Sequence, residues 1–89
     1  MISIVEHGSL LEITLFKDVK EMGLARNFMF ITPKESELKE AGERIAGYFD
    51  CIECGMVVIT SRANGKGVLY TEPVYLIQKE AIYSYRLKE

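Results

Sequence analysis

Thr32 to Gly55, TPKESELKEAGERIAGYFDCIECG, carries the strongest local instructions in this 89-residue chain. Thr32 and Glu35 fit a capping box, in which hydroxyl and carboxylate each satisfy a backbone donor of the other residue. Pro33 suits the first helical position, where its missing N–H has no partner to lose. Leu38, Ala41, Ile45, Tyr48, Phe49 and Ile52 recur at spacings of three or four, one apolar stripe at the helical period. Glu37, Lys39, Glu40, Glu43 and Arg44 fill the remaining surface. Glu35 with Lys39 and Glu40 with Arg44 are i,i+4 pairs worth about 0.2–0.5 kcal/mol each. Gly42 and Gly47 interrupt the pattern at up to about 1 kcal/mol each relative to Ala, which points to close approach by a sheet or by a second copy of the helix. Gly55 is placed to end the helix in a left-handed conformation. The spacing predicts a principal helix over 33–54.

Around it the chain reads as short strands. Ile2 to Val5 and Leu10 to Phe16 flank a turn at His7-Gly8-Ser9, and Leu11, Ile13 and Leu15 alternate with Glu12 and Thr14 as in a half-buried strand. Phe16 falls on the polar side of that alternation. Residues 18–25 suit either a short second helix capped by Asp18 or an irregular turn, with Gly23 interrupting. Phe28 to Ile31 is a continuous apolar run and reads as a buried central strand. Val57 to Thr60 is β-branched and either pairs in parallel with 28–31 across the helix or is not its neighbour. Asn64-Gly65 is a hairpin signal, with Val68 to Thr71 returning and Pro73 breaking the pattern. Val74 to Gln78 and Ile82 to Leu87 suggest a hairpin across Lys79-Glu80-Ala81. In the last strand Tyr83, Tyr85 and Leu87 face one way, Ile82, Ser84 and Arg86 the other. The expected fold is α+β: a mostly antiparallel sheet of about five to seven short strands packed against one principal helix.

A chain of this length that is 48% hydrophobic builds a single core without needing disulfides or metals, so residues 1–89 are expected to form one domain. The formal charge of −2 argues against a strongly basic nucleic-acid or membrane-surface protein. Residues 1–55 hold six Lys/Arg against ten Asp/Glu, and residues 56–89 five against three, a mild drift toward positive charge. No apolar run approaches the roughly 20 residues of a membrane span. The first residues alternate without a basic leader, so no signal peptide is expected. Two cysteines and no export signal point to a reducing cytoplasm.

Nothing in the residues amounts to a catalytic signature. Cys51-x-x-Cys54 at a helix C-terminal end, beside Asp50 and Glu53, has the wrong electrostatics for a reactive thiolate. As a metal site the pair lacks a second Cys-x-x-Cys and has only His7 as a further ligand, so no metal or cofactor is expected; Cys51, Cys54 and His7 remain the alternative. Arg62-Ala63-Asn64-Gly65-Lys66-Gly67 lacks the first glycine and final Ser/Thr of a phosphate loop and lies between strands, so it reads as a hairpin tip, from which Arg62 and Lys66 could touch phosphates or an acidic partner. Tyr70, Tyr75, Tyr83 and Tyr85, with Lys79, Arg86 and Lys88, make the C-terminal third aromatic and basic. Such residues serve as half-buried strand positions, as a protein interface, or as stacking rings beside a positive groove for single-stranded nucleic acid.

The expectation is a non-enzymatic protein-interaction or regulatory module. It acts through a sheet face or by self-association as a homodimer, with partner-binding residues Arg62, Lys66, Tyr70, Tyr75, Tyr83, Tyr85 and Arg86. A nucleic-acid-binding domain using strands 60–88 is the alternative, and a metal or thiol site the third.

Overall fold

The computed structural model describes residues 5–24, 27–34, 40–63, 66 and 72–88. Among them lie seven strands: β1 (Leu10–Phe16), β2 (Val19–Leu24), β3 (Phe28–Pro33), β4 (Ala41–Glu53), β5 (Met56–Thr60), β6 (Val74–Gln78) and β7 (Ile82–Leu87). They form one mixed sheet in the order β2-β3-β6-β5-β4-β1-β7. Every neighbouring pair is antiparallel except β3 with β6. The α+β expectation is overturned. The described chain is nearly all β, and the segment read as a helix over 33–54 supplies the end of β3 and the 13-residue strand β4. The second expected helix or turn, at 18–25, is strand β2 up to Leu24. No helix among the described residues is long and apolar enough to cross a membrane.

The reason lies in the packing of β4. Helix propensity amounts to tenths of a kcal/mol per residue, whereas β4 pairs on both sides, with β1 and with β5. Ile45, Gly47 and Phe49 point inward and are buried. Then the register slips at Asp50, so that Cys51 opposes Val58 and Ile52 opposes Val57. A one-residue slip moves every later side chain to the other face, and Ile52 packs on the core. Inward positions 45, 49 and 52 therefore show the four-then-three spacing of a helix, although the backbone is extended. A second irregularity, where Phe16 opposes Ala41 but Thr14 opposes Arg44, breaks the alternation again. The two interior glycines do mark close approach, as their position suggests, but within a sheet. A Cβ at Gly42 meets Lys17 Cα at 2.6 Å, and one at Gly47 meets Ile59 Cγ2 and, at 2.9 Å, the Thr60 carbonyl oxygen.

β1 keeps its expected alternation: Leu11, Ile13 and Leu15 are fully buried while Leu10, Glu12, Thr14 and Phe16 are half-buried. Each such buried side chain contributes about 1.5–3 kcal/mol. They share one core with Ile31, Ile45, Phe49, Val57, Ile59, Ile77 and Ala81. A single sheet covers its own apolar face only by curling, and two short connections require it to. Lys17 and Asp18 alone join β1 to β2, strands five places apart in the sheet, and Lys79–Ala81, a 3₁₀ turn, join β6 to β7, four places apart. In a flat sheet those separations are about 24 and 19 Å at ~4.8 Å per strand, but chain segments of those lengths reach only about 11 and 14 Å. The sheet therefore rolls into an open barrel with corners at Lys17-Asp18 and at Lys79–Ala81. The Lys17 amide donates to the Glu40 carbonyl at 2.8 Å and the Lys34 amide to the Asp18 carbonyl at 3.3 Å, pinning the first corner. Gly42 leaves room for it against β4.

Other expectations are corrected by the same topology. Val74–Gln78 and Ile82–Leu87 are strands but not a hairpin; the barrel corner separates them. The run 28–31 is a strand but not central, and its parallel partner is β6 rather than residues 57–60. Residues 2–4, Asn64-Gly65 and the strand expected at 68–71 lie outside the described residues.

Candidate functional site

Rolling the sheet leaves an outer face on β4, β1 and β7 that carries polar side chains between Phe16 and Ala46. The pairings align them in rows across the three strands: Arg44, Thr14 and Ser84 in one, Ala46, Glu12 and Arg86 in the next. Directly opposed residues bring their Cβ atoms to about 4.5–5.5 Å, so each row is a set of touching neighbours drawn from strands distant in sequence. The rows border a groove of about 500 Å³ lined by Glu12, Thr14, Arg44, Tyr83, Ser84 and Arg86, with Tyr85 at its flank.

Glu12 is the anchored charge of the groove. Its side chain is 14% exposed and accepts a 2.8 Å bond from Arg86 Nε; Lys88 Nζ lies 3.9 Å from its other oxygen. Such a charge-assisted bond on a shielded carboxylate holds Arg86 across β1. Arg44 is exposed and, among the described residues, has no ion pair or hydrogen bond; the same is true of the Thr14 and Ser84 side chains. Arg44, Arg86 and Lys88 against Glu12 leave this face positively charged in a chain of net −2.

Tyr83 is 49% exposed. A register irregularity between Thr14 and Leu15, opposite Ser84 and Ile82, leaves Tyr83 unopposed. Its ring then meets Phe16 edge-to-face, centroids 5.5 Å apart and planes at 82°. That places Tyr83 on the outer face with Phe16, whereas Tyr85 opposes Ile13 and packs on the core. The expected alignment of Tyr83 with Tyr85 and Leu87 is corrected by this irregularity.

Of the residues expected to bind a partner, the structure brings Tyr83, Arg86 and the flank of Tyr85 to the groove. Tyr75 is half-buried in β6 against the core. Arg62, in the connection after β5, is held by Glu72, its Nε 3.4 Å from the carboxylate. Lys66 is exposed in the same connection and does not line the groove. Tyr70 lies outside the described residues. Sequence reasoning missed Glu12, Thr14, Arg44 and Ser84. The alternation of β1 and β7 did place Glu12 with Thr14, and Ser84 with Arg86, on single faces, but Arg44 was assigned to a helical pair with Glu40. Glu40 instead lies 3.5 Å from Lys17 Nζ.

The cysteines occupy different settings. Cys51 follows the slip in β4, and its thiol lies 3.9 Å from Asp50 Oδ2. Burial, then the charges of Asp50 and Glu53 and the Asp50 contact, raise its pKa above the ordinary thiol value, which favours the inert protonated form. The helix end invoked for that effect is absent; a strand interior and two carboxylates produce it. His7 Nδ1 faces the Asp50 carbonyl at 2.8 Å and its Oδ1 at 3.4 Å. Cys54 sits on the β4–β5 turn with φ +51°, followed by Gly55 at +76°. Among the described residues no group of three His, Cys, Asp or Glu side chains is assembled to hold a metal ion.

No family model, curated protein or solved structure matches this chain.

Proposed function

We propose that the chain is a non-enzymatic protein-interaction module, folded as one domain over residues 1–89 and acting in a reducing cytoplasm, whose partner-facing surface is the outer face of β7 and its edge away from β1. The observation that carries this reading is the state of β7. It ends the sheet, with β1 as its one paired neighbour among the described strands, and it exposes Tyr83 at 49% and Leu87 at 59%. An edge strand presents unpaired N–H and C=O groups along its length, and strand addition to such an edge is a general mode of peptide recognition. Exposed tyrosine beside arginine is also the composition of interface centres. Self-association through the same edge is one form this function takes.

Nucleic-acid binding has less support. Stacking platforms use several exposed rings along a cationic track. Of the three described tyrosines after residue 70, Tyr75 and Tyr85 are half-buried against the core and Tyr83 alone is exposed.

A photo-crosslinking amino acid placed at Tyr83 tests the reading, with the same group at Met22 on β2, the opposite edge of the described sheet, as the comparison. The expected result is a protease-sensitive adduct in native cells from position 83 and none from position 22. An adduct of twice the chain's mass identifies self-association. Adducts from position 22 alone, or a nuclease-sensitive adduct at 83, refute the proposal.

A further inference from the structure

β7 carries the inner face of the barrel one strand beyond its cover. Ile82, Tyr85 and Leu87 oppose Leu15, Ile13 and Leu11 of β1, all fully buried, and so lie on the apolar side of the sheet. Leu87 is nevertheless 59% exposed, because among the described strands none lies beyond β7. Ser84 and Arg86, opposite Thr14 and Glu12, point outward and are exposed. The backbone divides in the same way. The Lys88 amide donates to the Leu10 carbonyl at 2.8 Å, and the polar groups of successive residues alternate between the two sides of a strand. Ser84 and Arg86 therefore turn toward β1, while Tyr85 and Leu87 turn their N–H and C=O groups to the edge away from it.

We infer, resting on the interaction-module reading above, that the partner on this edge is a second copy of the chain, whose β7 pairs antiparallel with β7 about a two-fold axis through Tyr85. Register and charge select this arrangement. A two-fold that joins two sheets into one keeps inner face beside inner face, so some residue of β7 must oppose itself. With Arg86 at the axis two guanidiniums are directly opposed, and with Leu87 at the axis Arg86 meets Lys88; like charges so placed destabilise a strand pair. With Ser84 at the axis Leu87 runs past the start of the second copy's β7 and stays uncovered. Tyr85 avoids all three. The two Tyr85 backbones then exchange both of their hydrogen bonds, and Arg86 lies opposite the hydroxyl of Ser84 in the second copy. Leu87 reaches the irregular step at 82–84, where Ile82 of that copy faces inward, and position 83 lies beside it. The edge thus supplies its own match: an apolar residue for Leu87 and an uncharged one for Arg86. β7 offers six residues, where a standard interface uses about 20–30 a side, so the pairing is weak. It also sets Arg86 of the second copy at the end of the row formed by Arg44, Thr14 and Ser84. Cation approaches cation there, so screening by salt tightens the dimer, whereas binding of nucleic acid weakens with salt.

Sedimentation and amide hydrogen exchange of the full chain test this. The chain is expected to sediment as a monomer at about 10 μM and as a dimer at about 1 mM, with tighter association at higher salt. Over the same range the Tyr85 and Leu87 amides are expected to exchange about fivefold more slowly, while the Lys88 amide, already held by Leu10, does not change. Leu87→Lys is expected to weaken the dimer at least about tenfold. Ser84→Glu sets a carboxylate opposite Arg86 of the second copy and is expected to tighten it about fivefold, a gain that misfolding cannot mimic. A chain that stays monomeric at 1 mM overturns the inference. So do protection that spares Tyr85 and Leu87, indifference to Leu87→Lys, and weaker association of Ser84→Glu. Adducts from position 83 to a different protein, with a chain that sediments as a monomer, remove this inference and leave the interaction module standing; no adduct from position 83 removes both.

Discussion

Gly47→Ala separates a helical from an extended segment 41–53 by the sign of its effect. In a helix interior the change stabilises by about 1 kcal/mol, since Ala is the better helix former. In the sheet the added methyl lands on the Ile59 side chain and 2.9 Å from the Thr60 carbonyl oxygen. β5 is paired on both sides, by β4 and by β6, so its backbone has little freedom to retreat. Overpacking of this kind costs about 1–3 kcal/mol, offset by about 0.4–1 kcal/mol from the reduced freedom of the unfolded chain. The net expectation is a loss of roughly 1–2 kcal/mol. At about 4–8 °C per kcal/mol for a chain of this size, the thermal midpoint falls by roughly 5–15 °C, against a rise of about 4–8 °C if the segment were helical. Calorimetry, or circular dichroism followed through thermal and urea unfolding, reads the difference. An unchanged urea slope assigns the effect to stability rather than to a changed unfolded state. Gly23→Ala serves as the control, because a Cβ there has nothing within 4 Å; it is expected to be neutral or slightly stabilising. A higher midpoint for Gly47→Ala would refute the assignment of β4.

Two further outcomes follow from local geometry. Glu53 opposes Met56, so Cys54-Gly55 is a two-residue hairpin loop with both residues at positive φ, as a type I′ turn requires; Cys54→Asn creates the favoured Asn-Gly pair and is expected to raise the thermal midpoint by about 2–8 °C, from roughly 0.5–1 kcal/mol of relieved left-handed strain, with a lower midpoint counting against the turn. Iodoacetamide labelling followed by mass spectrometry is expected to show Cys51 reacting with a pH midpoint above that of the same cysteine in denaturant, and Asp50→Asn is expected to lower that midpoint without abolishing the difference, since burial is the larger cause. The sign for stability follows from linkage: between the ordinary and the raised pKa the folded chain binds the thiol proton and the unfolded chain does not, so Cys51 contributes stability that is lost as pH rises through that window. A folded-state midpoint at or below the denatured one overturns this account.

What the residues determined by themselves was the strand character of β1, β3, β5, β6 and β7, because alternation, short apolar runs and β-branching are local properties that the pleat reads directly. In β1 the alternation placed Leu11, Ile13 and Leu15 inward and Glu12 and Thr14 outward; in β7 it placed Ser84 and Arg86 together. The tertiary structure alone decided the rest. Residues 41–53 combine helix formers with inward positions spaced as in a helix, and the slip at Asp50 that generates this spacing exists only in the pairing with β5. The corners at Lys17-Asp18 and Lys79–Ala81 separate strands that are close in the chain, and no local pattern distinguishes a corner from a hairpin. The groove is likewise a product of register: Glu12 and Thr14, Arg44, and Ser84 and Arg86 come from three separate stretches of chain. They become neighbours because β1 lies between β4 and β7, an adjacency set by how the whole sheet rolls to bury its apolar face.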